Sequence, residues 1–340
     1  MKGGEKMKLM AIALLFVSCL CIFTTALTGE TPKEVDDSLK AAQSQFEAGT
    51  YSAAIATLLT AVSRNPDRAD LHYWLERAYY ELHDYDSAIT HGKRSTQLDQ
   101  GSSLYHQWLG RAYGGKAARE SSLFVALKVQ KEFEEAVRLN PSNISARRDL
   151  QRFYTMAPWI INGREKALDM VDAIAELDAV EGHLARAQLY LKNLRKPDLA
   201  ENEYILALDG RPNRPEPYFE IAAFYEDRKN GSAIQMIMEY AEQADPADPR
   251  LAYYRGVAGV LINDDLETAQ ESLKSYLARS PERSDWPSHA AAYEWLGRLY
   301  EQEEELVEAI EQYRAALKIE PERKEAVERL ERLEKLVRQR

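Results

Sequence analysis

The chain has 340 residues, a hydrophobic content of 45% and a formal net charge of −11. An acidic surface repels nucleic-acid backbones and anionic lipids, so this charge argues against both as main partners. Both cysteines, Cys19 and Cys21, lie near the N-terminus, and the rest of the chain therefore has no thiol for disulfide bonds, thiolate catalysis or zinc–sulfur sites.

Residues 1–26 have the pattern of a secretory signal peptide. Three lysines precede an apolar run at 9–23, and small residues of the kind that a signal peptidase accepts follow at 24–26. We expect cleavage near Ala26, which would place the body of the protein in the periplasm or cell envelope. The lack of cysteine after this segment suits a bacterial periplasm better than a disulfide-rich extracellular matrix.

Two other interpretations of the N-terminus stay open. Residues 9–27 are about long enough to span a bilayer as an uncleaved inner-membrane anchor. Residues 15–19 resemble a bacterial lipobox that ends at Cys19, although apolar residues continue beyond it. In each case the body is exported, and only this segment touches the membrane. Residues 27–36 are polar and predict a short linker.

From residue 37 to residue 321, one pattern recurs about eight times with a period of about 34 residues. Each copy predicts two amphipathic helices joined by a turn. Ala54 and Ala88 occupy equivalent places where the two helices of a unit approach most closely, and a larger side chain there would overpack by about 1–3 kcal/mol. The predicted units are 37–67, 68–101, 102–142, 143–180, 181–213, 214–248, 249–283 and 289–321.

Three interruptions of this period predict loops. The third unit carries extra residues within 114–124, the fourth carries extra residues around 158–163, and a spacer at 284–287 precedes the eighth. Loops in repeat proteins often lie on one face and bind partners. Trp159 and Ile160 are therefore candidate contact residues. The alternative is that this turn folds back and buries both side chains, because large apolar groups seldom stay exposed.

The clearest copy of the pattern lies in the eighth unit. It consists of Tyr293, Leu296, Gly297, Tyr300, Ala309, Tyr313, Ala316 and Pro321. This copy resembles the W-x2-L-G-x2-Y…A-x3-F…P pattern of the tetratricopeptide repeat, or TPR. The resemblance covers residues 37–321 and implies an all-α, right-handed superhelical solenoid of about eight helix-turn-helix units. Residues 322–340 are apolar on one helical face and charged on the other, which predicts a C-terminal capping helix.

In the TPR family the first helices of the units line a concave groove that generally receives a peptide, so the resemblance implies a protein or peptide partner. The alignment of the units places three tryptophans at one equivalent position and three arginines at another, three residues further along the same helical face. Such a face can stack a side chain and pair with a carboxylate. The candidate groove residues are Tyr73, Trp74, Arg77, Trp108, Arg111, Arg148, Arg152, Arg186, Trp295 and Arg298.

A structural interpretation of these residues is the alternative. Each tryptophan would pack against the preceding unit, and each arginine would pair with a nearby glutamate such as Glu76 or Glu301. One subset of the family grips an acidic C-terminus with paired lysines and asparagines. Arginine stands here where that clamp needs asparagine, so chaperone-tail binding is not expected.

Signals for catalysis are weak. The chain has no Gly-rich phosphate loop and no serine in a G-x-S-x-G setting. Six histidines show neither an H-E-x-x-H motif nor the close spacing of a helical metal site; they are His72, His83, His91, His106, His183 and His289. We expect no enzyme activity, cofactor or metal. The favoured function is a non-enzymatic scaffold of the bacterial cell envelope that holds a partner in the groove, and the alternative is a structural or regulatory component that self-associates into homo-oligomers.

Overall fold

The computed structural model describes residues 32–156 and 162–339, and this part of the chain contains seventeen α-helices and no β-strand. Neighbouring helices pack as antiparallel pairs, and each pair packs against the next. Successive stacking of this kind makes a helical solenoid. The predicted all-α solenoid of about eight helix-turn-helix units with a capping helix is confirmed.

Eight helix pairs form the units, a π-helical turn at Tyr190–Leu194 prolongs α9, and α17 (Lys324–Gln339) covers the last pair. The pairs in chain order are α1 (Pro32–Glu47) with α2 (Tyr51–Arg64), α3 (Ala69–Glu81) with α4 (Tyr85–Leu98), α5 (Ser103–Glu120) with α6 (Leu123–Leu139), α7 (Ile144–Met156) with α8 (Gly163–Ala175), α9 (Ala179–Leu189) with α10 (Pro197–Asp209), α11 (Glu216–Asp227) with α12 (Gly231–Ala244), α13 (Arg250–Ile262) with α14 (Leu266–Arg279), and α15 (His289–Gln302) with α16 (Leu306–Ile319).

The first helix begins at Pro32, inside the segment 27–36 that the sequence predicts as a linker. Proline suits the first turn of a helix, because the N–H that it lacks would be unpaired there. Val35 and Phe46 are buried in one core cluster with side chains of α2 and α3, so residues 32–36 belong to the solenoid. The predicted signal segment lies outside the described residues. Among the helices that are described, none combines the length and apolarity needed to cross a bilayer.

Small residues bring the two helices of a unit together. Ala54 and Ala88 are fully buried, as expected for the positions of closest approach. A Cβ added at Gly110 would lie 2.5 Å from the Phe133 ring, so only glycine lets α5 and α6 approach this closely. Side-chain caps begin several of the helices. One of them is Asp84, whose carboxylate accepts a hydrogen bond from a backbone N–H of α4 at 3.1 Å.

The interruption in the third unit is not a loop, contrary to the prediction. The helix α5 has 18 residues and α6 has 17, and only two residues separate them. Ser121 takes a left-handed conformation with φ of 49°, and the Ser122 hydroxyl accepts from the first turn of α6. The extra residues are rich in good helix formers such as Ala, Lys, Arg and Leu, so they lengthen both helices.

The adjacent glycines of this hairpin allow a matched test of the packing. A Cβ at Gly114 would meet no described atom within 4 Å, whereas one at Gly115 would lie 2.3 Å from the Tyr85 ring. We expect Gly114→Ala to stabilise the protein by up to about 1 kcal/mol, because alanine is the better helix former. Gly115→Ala should destabilise it by about 1–3 kcal/mol through overpacking. Urea unfolding followed by helical circular dichroism measures both, and equal effects of the two substitutions would contradict this packing.

The structure describes only one of the other two interruptions. Trp159 and Ile160, the predicted loop contacts, lie outside the described residues, between the end of α7 at Met156 and the start of α8 at Gly163. The spacer at 284–287 is part of a longer connection that joins α14 to α15. That connection contributes to the candidate site.

Candidate interaction surface

The first helices of four consecutive units, α7, α9, α11 and α13, line a central chamber of about 860 Å³. Residues 284–287, between α14 and α15, supply another part of its wall. Four arginines, six acidic residues and four aromatic residues line the chamber. This mixture can stack side chains and form charge-assisted hydrogen bonds, but the near-balance of charge excludes recognition by a single strong field.

Arg148 crosses the floor of the chamber and joins three units. Its Nη1 lies 2.6 Å from Glu181, and its Nη2 lies 2.8 Å from both carboxylate oxygens of Glu220. Arg214 pairs with the second oxygen of Glu181 at 2.6 Å. Only 12% of the Arg148 side chain is exposed, so this predicted groove residue lies in the chamber but is already paired internally.

One side of the chamber is aromatic, and Arg250 lies there between two rings. Its guanidinium lies 4.2 Å from the ring centre of Phe219 and 5.2 Å from that of Trp286. Asp248 holds it by a pair of hydrogen bonds, at 2.6 Å and 3.0 Å. Burial by itself would lower the pKa of Arg250, but hydrogen bonding to Asp248 raises it. A guanidinium between two aromatic rings can make cation–π contacts with both of them.

Glu226 closes the end of this aromatic side. Its Oε1 accepts hydrogen bonds from the Tyr253 hydroxyl and from the Trp295 indole, each at 2.7 Å. Burial raises the pKa of Glu226 and outweighs these two donors, which lower it. The carboxyl therefore serves as a fixed acceptor that orients two rings.

The predicted tryptophan and arginine positions of the second and third units form an aromatic cluster. The Arg77 guanidinium lies 4.5 Å from the ring centres of Phe46 and Trp74 and 4.7 Å from that of Trp108. The Tyr73 ring packs edge-on against Trp74, with centres 5.6 Å apart. Within the described chain the Nε of Arg77 is buried without a hydrogen-bond partner. Cation–π contacts therefore dominate the surroundings of this guanidinium.

Arg111 connects the aromatic cluster to the chamber. Its guanidinium lies 4.7 Å from the ring centre of Trp108, and its Nε donates to Asp149 at 2.7 Å. Arg152, which lines the chamber, donates to the other oxygen of the same carboxylate. Burial would raise the pKa of Asp149, but the two arginines lower it. Arg111 is thus part of a buried ion pair, and reversing its charge would perturb the fold as well as the surface.

Two of the predicted groove residues, Trp295 and Arg298, are not presented to a partner. Trp295 is 4% exposed and is hydrogen-bonded to Glu226. Arg298 is 8% exposed and pairs with Glu294 at 2.7 Å and with Glu325 at 2.5 Å. The capping helix supplies Glu325, and it therefore takes up the charge that the groove hypothesis assigned to a partner.

Arg186 also lies away from the chamber. It pairs with Asp172 of α8 at 3.3 Å and lies 3.7 Å from Glu203 of α10. Gln188, two residues further along α9, lines the chamber instead and donates to Glu220 at 2.9 Å. Residues two apart lie on different faces of a helix, so Arg186, a candidate groove residue, does not face the chamber.

A buried polar cluster lies beneath the aromatic residues of the second unit. Glu76 has no exposed surface, and neither of its oxygens has a hydrogen-bond partner among the described residues; the expected pairing with an arginine is therefore absent. Burial, with a smaller contribution from Glu132, raises the pKa of Glu76 well above its usual value. His72 and His91 approach each other with 2.9 Å between their Nδ1 atoms. Across residues 32–156 and 162–339, no group of three or more metal-ligating side chains could hold a metal ion.

Glu301, the other predicted glutamate partner, pairs with Arg329 of the capping helix at 3.1 Å and does not pair with Arg298. Arg298 therefore pairs with nearby glutamates, as the structural interpretation expects, but they are Glu294 and Glu325.

Most of the chamber wall consists of residues that were not predicted from the sequence, among them Arg214, Arg250 and Trp286. Arg214 precedes α11, and Arg250 is the first residue of α13, so neither falls at a tryptophan–arginine position. A large aromatic residue in an otherwise polar connection was the available signal for Trp286.

Comparisons with known proteins agree with this architecture. The tetratricopeptide-repeat family profile matches residues 39–103 and 261–324. The crystal structure of yeast Tom70 is similar, with a TM-score of 0.62 and 16% identity over 93% of this chain and 66% of that one. The APC/C hetero-tetramer Cut9–Hcn1 gives a TM-score of 0.50 and 14% identity over 90% of this chain and 57% of that one.

A thermophilic TPR protein of Thermus thermophilus is 23% identical over 52% of this chain and 90% of that one, with a TM-score of 0.44. No curated protein sequence matches the chain. At these identities the likenesses to Tom70 and Cut9–Hcn1 establish the fold. Repeat arrays of this fold present extended concave binding surfaces.

Proposed function

Because this chain is a tetratricopeptide-repeat protein, we propose that it is a non-enzymatic interaction scaffold whose central chamber holds a segment of a partner protein. The chamber carries the proposal. It is about 860 Å³ in volume and combines Arg250, Phe219 and Tyr254 with the ion-paired Arg148. Trp, Tyr and Arg are the residues that most often dominate binding energy at protein interfaces.

The aromatic cluster around Arg77 supports a second contact along the same surface. Asp149 bridges the cluster to the chamber by accepting from both Arg111 and Arg152. An extended segment could therefore contact both areas. A test of binding should use arginines that are more exposed than Arg111, which is 26% exposed. It should also measure folding, because Arg152 pairs with Asp149 as well.

The test is affinity capture of the tagged full-length chain from a solubilised envelope extract of the native organism. The chamber variant carries Arg152→Glu and Arg214→Glu, whose side chains are 51% and 39% exposed. The matched control carries Arg138→Glu and Arg314→Glu, which make the same charge change on the second helices α6 and α16, at 68% and 61% exposure. We expect at least a tenfold loss of the partner with the chamber variant and none with the control.

Thermal unfolding of each variant shows whether the fold persists. Equal recovery of one partner by wild type, chamber variant and control would refute binding in the chamber. Loss with both variants would assign recognition to overall charge.

We also propose that the body of the protein is exported to the periplasm or cell envelope. The support is the sequence pattern of residues 1–26, with lysines before an apolar run and small residues after it. A reporter enzyme that is active only after export, fused after residue 48, should be active in cells. The same fusion that lacks residues 1–26 should be inactive, and activity of both would refute the proposal.

Self-association is the second candidate function. One observation favours it: the lengthened hairpin of α5 and α6 exposes Leu123 by 60%, Phe124 by 83% and Leu127 by 48%. Exposed apolar patches often mark interaction surfaces. Sedimentation of the pure protein over a concentration series should then show oligomers that Phe124→Ser dissociates, and a monomer at all concentrations would exclude this candidate.

A further inference from the structure

Residues 281–287, here called the strap, cross from the seventh unit to the first two units. The strap lies between α14 and α15, more than 200 positions from the residues of the first two units that it contacts. The backbone N–H of Ser284 donates to Glu81 at 2.8 Å, and its hydroxyl donates to the same carboxylate at 3.2 Å. Arg283 pairs with Glu47 at 3.1 Å. The strap therefore joins distant parts of the solenoid through specific polar contacts.

The turn between α1 and α2 is shaped to receive the strap. The Tyr51 hydroxyl donates to the backbone carbonyl of Glu282 at 2.7 Å. Gly49 has a φ of +72°, and a Cβ at this position would lie 2.5 Å from the Cβ of Pro281. Both the conformation and the close approach favour glycine here.

The C-terminal half of the strap faces the chamber. Trp286 lies over the Arg250 guanidinium, which in turn lies over the Phe219 ring. The carbonyl of Pro287 accepts from the Tyr276 hydroxyl. This half of the strap forms a turn in which the Trp286 N–H donates to the Arg283 carbonyl at 3.3 Å. The strap thus presents a turn and one aromatic side chain to the inner surface.

The contacts of the strap with the first two units are mostly solvent-exposed. Glu47 is 59% exposed in its pair with Arg283, and the hydrogen bonds of Ser284 to Glu81 are exposed as well. An exposed ion pair contributes about 0–1 kcal/mol and a hydrogen bond about 0.5–1.5 kcal/mol. A competing segment therefore has to replace these exposed polar contacts, the Tyr51 hydrogen bond and the packing of Pro281 against Gly49.

We propose that the strap is an internal ligand of the concave surface. The partner segment that the chamber takes is a peptide that turns before an aromatic residue followed by proline, and it displaces Trp286 from Arg250. This inference rests on the proposed function, since it assigns the chemistry of the partner at the same chamber. While the strap occupies the surface, it competes with the partner segment and lowers the affinity of the protein for that segment.

The test uses the sequence of the strap as a probe. A fluorescent peptide with residues 280–288, Ser-Pro-Glu-Arg-Ser-Asp-Trp-Pro-Ser, is titrated with the full-length chain and with a strap-replaced chain. The strap-replaced chain carries Glu282→Gly, Arg283→Ser, Ser284→Gly, Asp285→Ser and Trp286→Gly, and it keeps both flanking prolines. Fluorescence anisotropy measures binding. We expect the strap-replaced chain to bind at least tenfold more tightly than wild type, because it lacks the side-chain contacts of Arg283, Ser284 and Trp286.

Two controls make the result specific. A peptide with alanine in place of tryptophan should bind the strap-replaced chain at least tenfold more weakly, and Glu81→Ala in that chain should weaken binding several-fold. The single variant Trp286→Ala, measured in parallel, keeps the test valid if the fivefold variant unfolds, and it should bind the peptide more tightly than wild type. Equal binding by wild type and both variants, or no binding at millimolar peptide, would overturn the proposal.

The capture experiment separates this inference from the proposed function. If the chamber charge reversals abolish capture but the peptide does not bind, the scaffold function stands and the internal-ligand proposal fails. If the charge reversals leave capture unchanged, the chamber function fails whatever the peptide does.

Discussion

Replacement of Glu76 by methionine should raise the free energy of unfolding at pH 8 by about 1–3 kcal/mol, the usual cost of a buried polar group without a partner. Glu76 is fully buried, and neither oxygen has a hydrogen-bond partner in the described chain. The position sits against Gly92, where a Cβ would collide with the carboxyl at 2.1 Å. Methionine has a similar shape and no charge, so it fills the space without the desolvation cost.

The same residue should make stability depend on pH. Its pKa is raised by burial and by Glu132, so the folded state keeps the proton at pH values where the unfolded state has lost it. The stability due to this proton is fully present below the usual pKa of 4.5 and is lost as pH rises through the higher folded value. The slope is at most about −1.4 kcal/mol per pH unit. Urea unfolding from pH 6.5 to 8.5 should show this decline in wild type and not in Glu76→Met or Glu76→Gln.

Two histidines near Glu76 change stability with pH in the opposite direction. The experiment therefore stays at pH 6.5 and above. Burial, with a smaller effect from His72, lowers the pKa of His91 from 6.5 to about 4, and burial lowers that of His72. Both rings are neutral when folded, so their contribution is lost as pH falls below about 6.5. A wild-type stability that rises between pH 6.5 and 8.5, or a slope that survives in both Glu76 variants, would contradict the assignment.

Replacement of Arg148 by leucine should lower the free energy of unfolding by about 3 kcal/mol. Arg148 pairs with Glu181 and Glu220, whose side chains are only 6% and 22% exposed. Loss of the arginine leaves two carboxylates poorly solvated and close together, and removing one partner of a buried ion pair typically costs about 3–5 kcal/mol. The exposure of Glu220 places the expected value at the lower end.

A second substitution tests the cause. Glu181 still pairs with Arg214 in Arg148→Leu, whereas Glu220 loses its arginine. Adding Glu220→Gln removes that unpaired charge and should recover about 1 kcal/mol or more. The control Arg138→Leu removes an arginine that is 68% exposed and should change stability by less than about 1 kcal/mol. A loss below 1 kcal/mol for Arg148→Leu, matching the control, would show that the pairs contribute no more than surface ion pairs do.

The contrast among the predicted arginines shows what sequence reasoning can reach. Arg77, Arg111 and Arg298 share one repeat position, yet Arg77 lies among aromatic rings, Arg111 pairs with Asp149 and Arg298 pairs with Glu294 and Glu325. Aligning the repeats shows which position within its helix each arginine occupies. The partner of a long side chain comes from neighbouring units, which differ in sequence.

The period of about 34 residues, the buried alanines and the terminal amphipathic helix were sufficient to determine an all-α solenoid, because contacts within and between adjacent units are local in sequence. The tertiary structure alone decided which arginines reach the chamber, that the extra residues of the third unit lengthen two helices, and that the strap meets the first unit. Arg148 and Glu220 are 72 positions apart, and Arg283 and Glu47 are 236 apart. Such pairs depend on the curvature of the whole array, which no single repeat encodes.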